Sequence, residues 1–337
     1  MVRARGIGGA PSAALPATLW FRWLALATTL TTYALIILGG VVRVTDSGDA
    51  CPDWPRCHGD LLPPLDTQVL VEFSHRLVAS VISILIAATA FAAWRWRHAP
   101  IIRWGAGVAV VLVIAQIILG GITVLNDLHS NLVTAHLALA SALLATLVVI
   151  TIASFDPASP VPTAEQREKA ASFRNLLAFA ALATFALMLT GSYVSGSGAG
   201  LAFDDWPLFN GRLMPDGGRL AMIHATHRFA AAAVGLIVVY VTARAWRTQR
   251  WQPLVMYAVL AALGVYVAQV FVGAANVWTM LQPSAAGAHL ALAAGMWAVL
   301  AGATFLAHRT VQASGLSGES TVSPAVEPEA APASGGS

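Results

Sequence analysis

Glu72-Phe73-Ser74-His75-Arg76 stands at the head of a long apolar run, and His224-Ala225-Thr226-His227-Arg228 stands at the head of another. Ionisable residues are costly where a chain crosses a bilayer, so both stretches point to function. The second echoes the first at fixed spacing. Trp54 and Trp206 are 152 residues apart, as are Pro55 and Pro207, Gly59 and Gly211, Pro63 and Pro215, and His75 and His227. Gln116 and Gln269 are 153 apart, and so are His136 and His289. Two copies of one unit, offset by a single insertion, therefore make up the chain, and each carries two histidines in matching places.

Of 337 residues, 57% are hydrophobic and 10% charged, against about 25% charged in a soluble domain. Eight apolar runs, at 20–42, 68–93, 102–124, 130–153, 172–195, 219–243, 253–275 and 285–307, each supply the ~20 residues a helix needs to span a bilayer. Solid apolar blocks exclude a barrel, whose strands alternate. The expected fold is an all-α integral membrane protein of eight transmembrane helices, in two tandem four-helix bundles related by a pseudo-two-fold axis along the membrane normal. The expected bounds are a flexible tail at 1–19, the N-terminal bundle at 20–153, a polar cytoplasmic linker with three prolines at 154–171, the C-terminal bundle at 172–309 and a disordered tail at 310–337.

One set of loops holds 13 of the 19 basic residues, from Arg3 through Arg95, Arg167 and Arg244 to Arg309. Positive charge marks the cytoplasmic side, which places both termini there. The net charge of +3 needs no nucleic acid. A bacterial cytoplasmic membrane is expected, because the N-terminal tail is short for a transit peptide. Cys51 and Cys57 share the first outer loop, in a compartment that permits a disulfide. The alternative, zinc held by Cys51, Cys57 and His58, lacks a fourth ligand.

His75, His136, His227 and His289 each lie a few residues into an even-numbered helix, hence at similar depth near the outer face. Paired imidazoles on facing helices hold a haem iron between two axial ligands. The plainer reading of each is an interhelical hydrogen bond, with Gln116 and Gln269 as further links between helices. Arg76 and Arg228, next to the first histidine of each copy, suit haem propionates; snorkelling to headgroups is the alternative. Glu72 stands where the second copy has His224, so one site has a carboxyl beside it and the other does not. His224 reads as a spare ligand or propionate donor, His58 and His129 as loop residues, and His98 and His308 as solvated at the cytoplasmic edge.

Glu-x-x-His-Arg at 72–76, His136, His227-Arg228, His289 and the Cys-x5-Cys loop around Trp54-Pro55 together resemble the haem A synthase family. The resemblance implies oxidation of the C8 methyl of haem O to a formyl group, giving haem A for cytochrome oxidase assembly. It implies that His227 and His289 ligate the iron of a resident haem b. His75 and His136 would frame the substrate haem iron, with Glu72 needed for turnover and Cys51–Cys57 a disulfide. Some bacterial members carry a second cysteine pair in the later outer loop, where this chain has Phe203, Asp204 and Asp205 before Trp206. The implied partners are haem O, the haem O synthase as its donor, an unidentified electron partner and membrane lipid, and a homo-oligomer stays open. Two rivals remain: a di-haem cytochrome that only relays electrons, such as a quinol-linked subunit, and a parallel-repeat transporter, which would want broken helices.

Overall fold

In a computed structural model, residues 17–59, 64–96, 98–158 and 160–313 are described. Eight helices carry the architecture: α1 (Leu19–Val44), α2 (Thr67–Arg95), α3 (Pro100–Val124), α4 (Ser130–Phe155), α5 (Ala164–Gly196), α6 (Arg219–Thr248), α7 (Pro253–Trp278) and α8 (Pro283–Ala313). All eight are long and apolar enough to cross a membrane, and no strand forms among the described residues. Prolines open α3 and α7, where a missing N–H leaves no intrahelical partner wanting. Asp66 caps α2 by accepting from the amides of Gln68 and Val69.

Helix contacts close two rings. Among the described residues, α2 packs on α1 and α3 alone, and α4 packs on α3 and α1, so α2 and α4 face each other across a diagonal without touching. In the same way α6 packs on α5 and α7, α8 packs on α7 and α5, and α6 and α8 do not meet. Ile82, Ile86, Ala109, Leu147 and Ile150 fill the first ring, and Leu177, Val234, Val259 and Leu300 the second. The rings join where α1 and α4 meet α8 and α4 meets α5. There the Trp297 indole donates to the Ser141 carbonyl at 2.8 Å and the Tyr33 hydroxyl to the Ala291 carbonyl at 2.8 Å. Ile84, Leu182, Leu236 and Tyr257 stay exposed on the outer faces, as helices in a bilayer require.

Several expected boundaries move. The connection between the halves is shorter than 154–171, because α4 runs to Phe155 and α5 starts at Ala164. Thr163 and Gln166 cap each other reciprocally, at 3.2 and 2.9 Å, and Ala, Glu, Lys and Arg then favour the helix. The charge cluster from Glu165 to Lys169 is thus the solvated start of α5. At the other end α8 continues past 309 to Ala313, and the Thr310 hydroxyl bonds back to the Leu306 carbonyl at 3.1 Å. α1 begins at Leu19, the last residue of the expected tail. The remaining parts of both tails, 1–16 and 314–337, lie outside the described residues. His98, expected in solvent, is 1% exposed and lies 4.2 Å from the Phe21 ring.

Candidate functional site

Two loops, ahead of α2 and α6, repeat the same fold at the 152-residue spacing. In the first, the Asp53 carboxylate accepts from the amides of His58 (2.6 Å) and Gly59 (2.8 Å). In the second, the Asp205 carboxylate accepts from Asn210 (2.8 Å) and Gly211 (2.7 Å). Both carboxyls are held below the ordinary aspartate range, chiefly by the glycine amide and then by its neighbour, which donate to the charged form. His58 and Asn210, then Gly59 and Gly211, all take positive φ, a backbone that glycine adopts without penalty. Both Trp-Pro bonds, at 54–55 and 206–207, are cis.

Each loop is pinned from below by the arginine of the motif that opens its helix. Arg76 donates to the carbonyls of Asp53 (2.7 Å), Arg56 (2.6 Å) and Cys51 (2.8 Å). Arg228 donates to the carbonyls of Asp205 (2.9 Å) and Leu208 (2.7 Å), the counterparts of Asp53 and Arg56. Both guanidiniums, read from sequence as propionate partners, bond loop carbonyls here, and Arg76 also pairs with Glu72 and Arg228 with His224.

Cys51 and Cys57 are joined by a disulfide, with Cα atoms 4.7 Å apart, so no thiolate remains for zinc. Their counterparts in the second loop are Phe203 and Phe209. These two rings meet edge-on with centroids 4.9 Å apart, and the Arg228 guanidinium lies 5.3 and 5.4 Å from them. An aromatic pair bridged by a cation thus stands where the first loop has a covalent link.

Beneath the loops, Glu72 is 3% exposed. Its carboxylate accepts from the Cys51 amide at 2.7 Å and pairs with Arg76 one turn on. His224, its counterpart, accepts at Nε2 from Arg228 at 3.1 Å, which uses the lone pair a spare ligand would need. His129 caps α4, and a His58 ring nitrogen bonds the Ala50 carbonyl at 2.9 Å, so both serve the loops.

The four remaining histidines share one setting. His75 and His227 lie eight residues past the start of α2 and α6, and His136 and His289 six past the start of α4 and α8. All four are half-buried. Each ring rests on a glycine of the preceding helix: His75 on Gly39, His136 on Gly120, His227 on Gly191 and His289 on Gly273. A Cβ on those glycines would stand 3.0–3.2 Å from the ring's Cε1, so only bare backbone admits the imidazole. His75 and His136 are near enough to interact electrostatically, as are His227 and His289, across the diagonals that the helices leave open. Nδ1 of His75 and of His136 is buried without a hydrogen-bond partner. The Gln116 and Gln269 amides donate to the backbone carbonyls of His136 (3.1 Å) and His289 (2.9 Å), linking helices as expected. Two neighbouring imidazoles on separate helices, with nitrogen lone pairs to offer, form a donor set that fits a haem iron. Among the described residues, no group of three or more His, Cys, Asp and Glu could hold a bare metal ion.

Residues 22–301 match the family described as COX15-CtaA, cytochrome oxidase assembly protein. The chain belongs to the COX15-CtaA family. Similar members include the haem A synthase of Shouchella clausii strain KSM-K16, 31% identical over 268 residues, covering 76% of this chain and 86% of that protein. The haem A synthase of Geobacillus thermodenitrificans is 28% identical over 311 residues, covering 90% and 97%. That of Halalkalibacterium halodurans is 31% identical over 239 residues, covering 68% and 78%. Eight apolar helices and this membership make the COX15-CtaA chain a multi-pass membrane protein. What sequence reasoning missed in it are the four glycines under the histidines and the Phe203–Phe209 pair. The 152- and 153-residue spacing already carried both, since Gly39 maps to Gly191, Gly120 to Gly273, and the cysteines to the phenylalanines.

Proposed function

We propose that this chain is a haem A synthase, which oxidises the C8 methyl of haem O to a formyl group and keeps a haem b between His227 and His289. The observation that carries this reading is the fourfold recurrence of a half-buried imidazole on a bare glycine, in two neighbouring pairs. It occurs in a chain whose relatives are named for this synthesis. His75 and His136 frame the substrate haem O in the first half. The halves are two four-helix bundles related by a pseudo-two-fold axis, a reading supported by the matched loops and the two rings of helix contacts. Both termini face the cytoplasm and both sites the opposite side, as the distribution of arginine suggests.

When bound, the haem b supplies one-electron transfer. His227 and His289 would hold that haem b, and His75, His136 and Glu72 would serve oxidation of the methyl in the first half. Glu72 stands one turn before His75 and is fixed by the Cys51 amide and Arg76. Proton uptake at this carboxyl would weaken its pairing with Arg76, which links it to the arginine that pins the loop. Arg76 and Arg228 hold the loops over the outer ends of the two sites and limit the entry of water. Haem O arrives from the haem O synthase, and an electron partner and a second copy of this chain complete the proposed partners.

Pigment extraction tests the reading. Membranes containing this protein and supplied with haem O should yield formyl-bearing haem A on chromatography, and the purified protein should retain haem b. Two unmodified haems b and no haem A would favour the electron-relaying cytochrome instead.

A further inference from the structure

The Thr190 hydroxyl lies 2.8 Å from the Leu187 carbonyl and 2.8 Å from Nδ1 of His227. A carbonyl can only accept and the hydroxyl has one proton, so with that proton on Leu187 the oxygen is left to accept toward His227. In that arrangement Nδ1 carries the hydrogen and the Nε2 lone pair is left for a metal. Such outer partners fix a ligand's tautomer and ring plane and raise its basicity. The first half differs here. Gly39 and Gly191 occupy equivalent positions under His75 and His227, but the residue before Gly39 is Leu38 where Thr190 precedes Gly191. Leucine has no acceptor, and Nδ1 of His75 is buried without a partner. Nδ1 of His136 is likewise buried without a partner, so neither imidazole of the first half has the bond that Thr190 offers His227.

We propose that Thr190 is a positioning residue that locks His227 as a permanent haem ligand, and that Leu38 leaves His75 a looser ligand suited to a haem that must depart. This rests on the haem A synthase reading above. The resident haem is held on one side by an anchored imidazole, whereas the substrate haem meets two imidazoles with no such anchor.

The test uses the purified full chain in detergent and measures haem retention, absorption spectrum and midpoint potential for wild type, T190V and T190S. T190V should release haem b about 10–100-fold more readily, and its midpoint should rise, because a less basic imidazole stabilises ferric iron less. T190S should restore both. Unchanged retention and potential in T190V would overturn the proposal. Wild type that binds no haem b would instead sink the paired-histidine reading beneath it. Should T190V fail to fold, L38T carries the test: haem should stay longer at the His75 site, and unchanged release there would overturn the proposal equally.

Discussion

Replacing Gly191 with alanine places a methyl 3.0 Å from Cε1 of His227 and 3.6 Å from both ring nitrogens. Carbons in ordinary contact stand about 3.5–4.0 Å apart, so the ring must withdraw by roughly half an ångström. The Thr190 bond, at 2.8 Å, stretches beyond a useful length if it does. Overpacking of this kind costs about 1–3 kcal/mol, and alanine offsets about 0.5–1 kcal/mol of that by its helix preference. The net loss of stability is therefore small, up to about 2 kcal/mol. Displacement of an axial ligand is more serious for the site, and haem affinity should fall about 10–100-fold. The expected signature of G191A is near-normal thermal unfolding with a sharply reduced ratio of haem to protein. Gly264 is the control, because no atom lies within 4 Å of a Cβ added there. G264A should keep its haem and unfold at the same temperature or slightly higher. Equal haem content in G191A and wild type, or equal loss in G264A, would refute the reasoning.

Other outcomes follow from the same geometry. E72Q should keep haem b yet yield no haem A from haem O, and a normal yield on chromatography would remove Glu72 from the chemistry. Replacing Cys51 and Cys57 with serine opens a small ring, so the first loop should lose about 2 kcal/mol, read as faster amide exchange at His58 and Gly59. F203A removes one ring of the aromatic pair, 1% exposed, and should destabilise the second loop by about 3–5 kcal/mol, seen as proteolysis within 203–212 that wild type resists. The Asp53 and Asp205 carboxyls are lowered in the fold, so the loop stability they supply is complete above the ordinary aspartate range. It is lost as pH falls through the folded values, and exchange at Gly59 and Gly211 should accelerate only under acid conditions.

Helix number and the internal repeat were legible because both rest on local pattern: apolar blocks of spanning length, and residues recurring at 152 or 153 positions. The four ring-bearing histidines were legible for the same reason. Boundaries were less so. The polar stretch 164–171 reads as linker by composition, yet the Thr163–Gln166 cap makes it helix. The arginines show why contacts escape such reading. Arg76 and Arg228 sit at a depth that suits haem carboxylates, but the carbonyls they bind belong to residues 20–25 positions away, brought over by the loop's fold. Glycines are similar: nothing in the chain around Gly39 or Gly120 names its partner, and only the ring opposite gives each its meaning. Thr190 and Leu38 could have been compared by register alone, but nothing in the chain says which of their neighbours matters.

Electron paramagnetic resonance of the oxidised protein, purified free of haem O and haem A, tests the central claim most directly, comparing wild type with H227A, H289A and H129A. The account predicts low-spin iron between two imidazoles in wild type and H129A, and loss of that signal in both H227A and H289A. The same bis-imidazole signal persisting in either of those two variants would contradict it.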